Sequence, residues 1–171
     1  MSEININILS ENQNFSKFEI TENFTCIRFL DQNKERFELE FNLEKGTSFN
    51  TFLIRDNEEL FIIHPPEKQH LNLFKEVISN LSDQFKLKKI NIISGHINPQ
   101  IIETIRNISA QFQNLTIICS NPGFKLISEL WNQRNPSLKN FVEIQLPEIN
   151  IIKKELHLNL NNFSLELIPI P

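Results

Sequence analysis

The chain has no tyrosine, one tryptophan, one methionine, one alanine and two valines among its 171 residues. Only three glycines are present, Gly46, Gly95 and Gly123. A loop that cradles phosphates needs several glycines in a short span, so the glycine-rich nucleotide motifs are excluded. The two cysteines, Cys26 and Cys119, lie far apart and lack the spacing of a zinc site or a disulfide framework. Both fall in apolar, strand-like runs, where the expected role is a small buried hydrophobe and the expected compartment a reducing cytoplasm. No excess of positive charge is present: 17 Lys and Arg face 21 Asp and Glu, a net charge of −4. That speaks against a general binder of nucleic acid or of anionic membrane, which needs a basic face. No apolar run reaches the roughly 20 residues that span a bilayer. The opening MSEININILSENQ lacks the basic start and apolar stretch of a secretory signal.

What is abundant is isoleucine (26), asparagine (23) and leucine (20). Isoleucine in place of valine, with frequent Asn and Lys, reads as nucleotide bias of an AT-rich genome. Hydrophobic residues at 40% and charged residues at 22% are ordinary globular values. The length fits about one domain, able to bury roughly 70% of its unfolded surface.

Along the chain, strands come first and then alternate with helices. Ile4, Ile6 and Ile8 alternate with Asn5 and Asn7 and predict a short strand; Phe24 to Leu30 predicts another. Arg36 to Phe41 alternates strictly, with Phe37, Leu39 and Phe41 on one face and Glu38 and Glu40 on the other. Gly46 marks a turn, and segments 48–54 and 60–64 predict a hairpin around Asp56-Asn57. After Pro65-Pro66, Leu71, Phe74, Ile78, Leu81 and Phe85 fall on one helical face. Segment 89–94 is an apolar strand ending at Gly95-His96. Asn98 and Pro99 then suit the N-cap and first position of a second helix, whose stripe is Ile101, Ile105, Ile108 and Phe112. Segment 115–119 is a buried strand, and Asn121-Pro122 repeats the cap signal before a third helix through Phe124, Ile127 and Trp131. Segments 141–146, 150–160 and 163–170 predict closing strands, with His157 outward. The pattern is a β-meander feeding α/β units, an α/β (α+β) sheet with helices packed on it. Its final strand leaves an edge for something to cover.

From Phe24 onward the chain resembles the β-lactamase-like domain of flavodiiron proteins, in particular the cyanobacterial diflavin type. Three stretches bear the resemblance: 36–54 (RFELEFNLEKGTSFNTFLI), similar to the family's acidic strand, Gly-Thr turn and Asn-containing strand; the strand 90–94 leading into Gly95-His96-Ile97-Asn98-Pro99-Gln100-Ile101, in the place of the H-x-E-x-D-H metal loop; and 165–171 (LELIPIP), similar to the strand before the next metal-bearing segment. The resemblance implies the first half of an αββα metallo-β-lactamase-like sandwich, with residues 1–171 as a single partial domain. It places the remaining ligands, and the flavodoxin-like and flavin-reductase-like domains, beyond residue 171. In the intact family, electrons from a nicotinamide cofactor pass through FMN to a di-iron site that reduces oxygen to water.

The departures bear on function. Of the family's loop ligands only the first is matched, by His96. Asn98 stands at the Glu position, Gln100 at the Asp position and Ile101 at the second His position. Iron in such a site takes imidazole and carboxylate, so no cofactor is expected in this chain itself. The expected function is flavodiiron-like and related to NAD(P)H-dependent oxygen reduction, with this chain lacking its own di-iron site. It would pair as a homodimer, or as a heteromer with a complete paralogue. The alternative is a non-catalytic fragment or interaction module that dimerises or docks on such a paralogue. A single-metal hydrolase using His96 and His64 is a third reading, weakened by the lack of a loop carboxylate to bind or orient water. His64 is a second imidazole at the sheet's end, and no third ligand is visible to complete a zinc site. His70 and His157 are expected at the surface. Glu67 and Glu103 read as helix-start carboxylates. Trp131 with Phe124 reads as core rather than as a flavin platform, and Cys119 has no base to activate it.

Overall fold

Alternation along the strands sorts their side chains onto two faces, and each face has its own core. A computed structural model describes residues 7–12, 15–31, 36–37, 40–41, 46–131, 144–161 and 164–169. In chain order the strands are β1 (Asn7–Asn12), β2 (Phe15–Thr21), β3 (Phe24–Asp31), β4 (Arg36–Phe37), β5 (Glu40–Phe41), β6 (Thr47–Asp56), β7 (Glu59–Ile63), β8 (Lys89–Ile93), β9 (Leu115–Ser120), β10 (Glu148–Ile152), β11 (Leu156–Asn159) and β12 (Ser164–Leu167). The helices are α1 (Leu71–Phe85), entered through a 3-10 turn at Lys68–His70, α2 (Pro99–Gln111) and α3 (Asn121–Trp131). The main sheet has eight strands in the order β1-β2-β3-β6-β7-β8-β9-β10. From β1 to β7 neighbours are antiparallel, and from β7 to β10 they are parallel. Each parallel step is a strand–helix–strand crossover, which requires a long connection.

All three helices cover one face. Leu53, Leu60, Ile62, Ile90, Ile92, Ile117 and Cys119 point to it and meet Phe74 and Ile78 of α1, Ile105 and Ile108 of α2, and Ile127 and Trp131 of α3. Their neighbours Ile54, Phe61, Ile93 and Ile118 point the other way. There the antiparallel β11–β12 hairpin lays the half-buried Leu156, Leu158, Leu165 and Leu167 over them. This two-sided arrangement is a mixed α/β architecture with a second β layer begun on the face opposite the helices.

The turn at Asp56-Asn57 forms as expected, with Asn57 at φ 53°, and Gly46 takes a positive φ of 70°. α1 ends on Lys86 in the left-handed conformation. At the start of α3 the accepting side chain is Ser120, not Asn121: its Oγ receives the Gly123 N–H at 3.3 Å. A Cβ on Gly123 would lie 3.3 Å from the Cys119 Cβ, so a larger residue there would press helix and strand apart by a few tenths of an ångström.

Two other expectations change. Arg36 to Phe41 is not one strand; β4 and β5 pair antiparallel with each other, Phe37 opposite Glu40. Segment 150–160 divides at a bend over Lys153-Lys154: β10 joins the main sheet beside β9, and β11 starts the hairpin on its face. Apolar residues recur on both sides of the bend, Ile149, Ile151 and Ile152 before it and Leu156, Leu158 and Leu160 after it, so periodicity alone hid the change of sheet. Strand β2 had no clear alternation to announce it. Segment 141–146 lies partly outside the described residues, and its described part, 144–146, is irregular; most of the Ile4–Ile8 strand likewise lies outside them. No described helix is long and apolar enough to cross a membrane.

Candidate functional site

Strands β7, β8 and β9 run parallel, so their carboxyl ends share one edge of the sheet. Ligands of open α/β sheets collect at such edges, where strands give way to loops and helix N-termini. β7 delivers His64 there, β8 delivers Ser94, Gly95 and His96, and β9 delivers Ser120. The loop of the metal-motif resemblance and the second imidazole therefore lie at the same edge of the sheet.

His64 adopts φ 59°, unusual for a residue with a side chain. Its backbone is held on both sides. Its N–H donates to the Ile93 carbonyl at 2.9 Å, and its carbonyl accepts from the fully buried Thr51 hydroxyl at 2.8 Å. Burial pushes the His64 imidazole below its ordinary value, and positive charge on His96 lowers it further, against the opposing pull of Glu67. His64 is thus held in its neutral form around pH 7. His96 itself is exposed, and the direction a Cβ on Gly95 would take is open space. The Ser94 hydroxyl donates to the His96 carbonyl at 2.8 Å and stiffens the turn.

The other loop positions have different work. Asn98 caps α2: its Oδ1 accepts the Ile101 N–H at 2.9 Å. Its Nδ2 faces Glu67 Oε1 at 3.4 Å. Pro99 occupies the first helical position, as its missing N–H favours. Gln100 is exposed. Ile101 is only 2% exposed and belongs to the helix-side core. Sequence reasoning assigned Glu67 to a helix start and missed its place beside Asn98. The available signal was its position three residues after His64, at the same strand end.

The remaining candidates disperse. His70 is not a surface residue: it is half-buried, stacked on Phe29 with centroids 4.8 Å apart, and 6.3 Å from the Phe49 ring. His157 does face outward, 56% exposed, with Glu155 at 3.7 Å. Glu103 lies beyond the first turn of α2 and pairs with Lys68 at 3.7 Å. Trp131 is buried, its Nε1 donating to the Ile144 carbonyl at 2.9 Å, and Phe124 packs half-buried on the same core. Both cysteines are buried and free; burial raises the Cys119 thiol to about 11 and pushes that of Cys26 upward. Among the described residues, three His, Cys, Asp or Glu donors lie within 4.8 Å of one another only at Glu155, His157 and Glu166, exposed on the β11–β12 hairpin. The His64–His96 edge presents no such set among them.

Comparison with known proteins agrees with this architecture. Residues 47–171 match the family model described as ODP family beta lactamase. Diflavin flavoprotein A 1 of Nostoc sp. (strain PCC 7120) is 27% identical over 154 residues, covering 90% of this chain and 24% of that protein. Diflavin flavoprotein A 6 of the same organism is 33% identical over 102 residues, covering 59% of this chain and 17% of that protein. The chain therefore spans at most about a quarter of the length of these curated relatives. Among solved structures, the metal-soaked Flv1 flavodiiron core of Synechocystis sp. PCC6803 superimposes with a TM-score of 0.72 at 24% identity, over 90% of this chain and 35% of that one. With most of its length matched to the family model, the chain belongs to the ODP family of beta-lactamase-like domains, and it is similar to part of the diflavin flavoproteins and shares the fold of the flavodiiron core.

Proposed function

We propose that this chain serves a flavodiiron-type, oxygen-reducing system without holding a di-iron centre of its own. In this reading it associates with a second β-lactamase-like domain, from a complete paralogue or another copy of itself. Reduction of oxygen at the expense of NAD(P)H belongs to that complete partner, with its irons and FMN.

One observation carries the reading: what the four loop positions do. His96 is the one side chain among them with a strong ligand atom exposed at the edge. The carbonyl oxygen of the Asn98 amide is committed to the α2 N-cap. Gln100 offers a neutral amide, and Ile101 is packed in the core. A pair of iron cations needs carboxylates to bridge and to balance charge. Glu67 is the nearby carboxylate, and it lies in no three-donor set among the described residues. These residues do not fit a di-iron centre.

The test is iron and zinc stoichiometry on the main size-exclusion peak of the protein made in iron-rich medium. Substoichiometric metal, together with an apparent mass above that of one chain, is the expected result. One or more bound irons per chain would overturn the reading of the loop. A strict monomer that also ignores a complete flavodiiron paralogue in a mixing experiment would overturn the association.

A further inference from the structure

At the end of the sheet away from His64 and His96, the last turns of α1 meet β2, β3, β6 and β7. A cavity of about 370 Å3 remains there, within the range of small-molecule sites. Its apolar wall is Leu53, Leu60, Leu81 and Leu87. The rest of its lining includes four charges, two of each sign: Lys17, Arg55, Glu19 and Glu22. No ion pair involves any of the four among the described residues.

The register explains why they converge. Lys17 and Glu19 are two apart on β2 and share a face; Glu19 lies opposite Thr25, Thr25 opposite Leu53, and Arg55 opposite Leu60. The Arg55 guanidinium sits 3.9 Å from the centroid of the Phe85 ring, which restrains it without using its hydrogen-bond donors. The Arg55 backbone N–H donates to the Asn23 carbonyl at 2.9 Å. Asn23 also lines the cavity, and its Oδ1 is buried with no hydrogen-bond partner among the described residues.

A ligand that answers this lining carries both charges and buries an apolar group against the leucines. We propose that the cavity binds a free α-amino acid with an aliphatic side chain. Its carboxylate would meet Arg55 and Lys17, its ammonium Glu19 and Glu22, and its side chain the leucine wall. The site is independent of the di-iron question, since it lies at the other end of the strands.

The experiment is a backbone-amide NMR titration of the whole chain with L-leucine, and separately with its two halves, 4-methylpentanoate and 3-methylbutylamine. Leucine should shift the amides of residues 17–25 and 55 saturably, and each half should bind at least about tenfold more weakly, having lost one set of charge-assisted contacts. Arg55→Met should weaken leucine by about the same factor while keeping a dispersed spectrum. Absence of saturable shifts with leucine, shifts confined to other residues, or equal binding of either half would overturn the proposal. The three-probe comparison on the unmodified chain decides even if the variant does not fold.

Discussion

Replacing Asn98 distinguishes a capping residue from a ligand. Its Oδ1 accepts from the Ile101 N–H at 2.9 Å, and loss of an Asn cap costs about 1 kcal/mol. The approach of Nδ2 to Glu67 at 3.4 Å is near the limit of a hydrogen bond and adds at most a few tenths. Asn98→Ala should therefore destabilise by about 1–1.5 kcal/mol. For a chain of this size that corresponds to a fall in Tm of about 2–6 °C. Asn98→Ser keeps a hydroxyl acceptor and should stay within about 0.5 kcal/mol of the parent. Urea denaturation followed by circular dichroism measures all three proteins, with and without chelator. If Ser is as damaging as Ala, the cap is not what Asn98 contributes. If chelator erases the difference between Ala and the parent, Asn98 acts through a metal and the reading of the loop fails.

His64 should make stability depend on pH in the mildly acidic range. Its folded pKa lies below its ordinary value near 6.5, so the unfolded chain takes up the proton first as pH falls. This contribution is present above that ordinary value and is lost as pH drops toward the folded one. His64→Asn, a residue that tolerates positive φ, should flatten that limb of the stability curve; an unchanged slope would exclude His64 as its source. The Cys119 thiol, raised to about 11 by burial, and the buried Cys26 should both resist a thiol reagent at pH 8 in the native protein and both react in denaturant. Fast native labelling would refute their burial. Trp131→Phe removes the donor to the Ile144 carbonyl and should cost about 1–2 kcal/mol by chemical denaturation. A neutral outcome would mean that bond does not tie α3 to the start of segment 144–147.

Local features were legible in the sequence wherever a few consecutive residues determine them. The hairpin at Asp56-Asn57, the capping of α2 by Asn98 and Pro99, the apolar stripes of α1 and α2 and the outward His157 all follow from periodicity or backbone preference within one element. The family loop was legible too, because a motif is a string. Pairing partners were not. Apolar residues run from the isoleucines of β10 into the leucines of β11, yet one strand extends the main sheet and the other crosses to its opposite face. Arg36 to Phe41 alternates as one strand would, but its ends pair with each other. His70 reads as surface on its own segment, and it becomes half-buried because β3 and β6 bring Phe29 and Phe49 against it. Glu67 meets Asn98, and Asn23 reaches the wall of a cavity, through contacts between residues far apart in sequence. Side-chain period is a property of the local backbone, so the order of residues determines it. Which surface a strand or carboxylate then faces depends on long-range burial, and only the folded chain decides that.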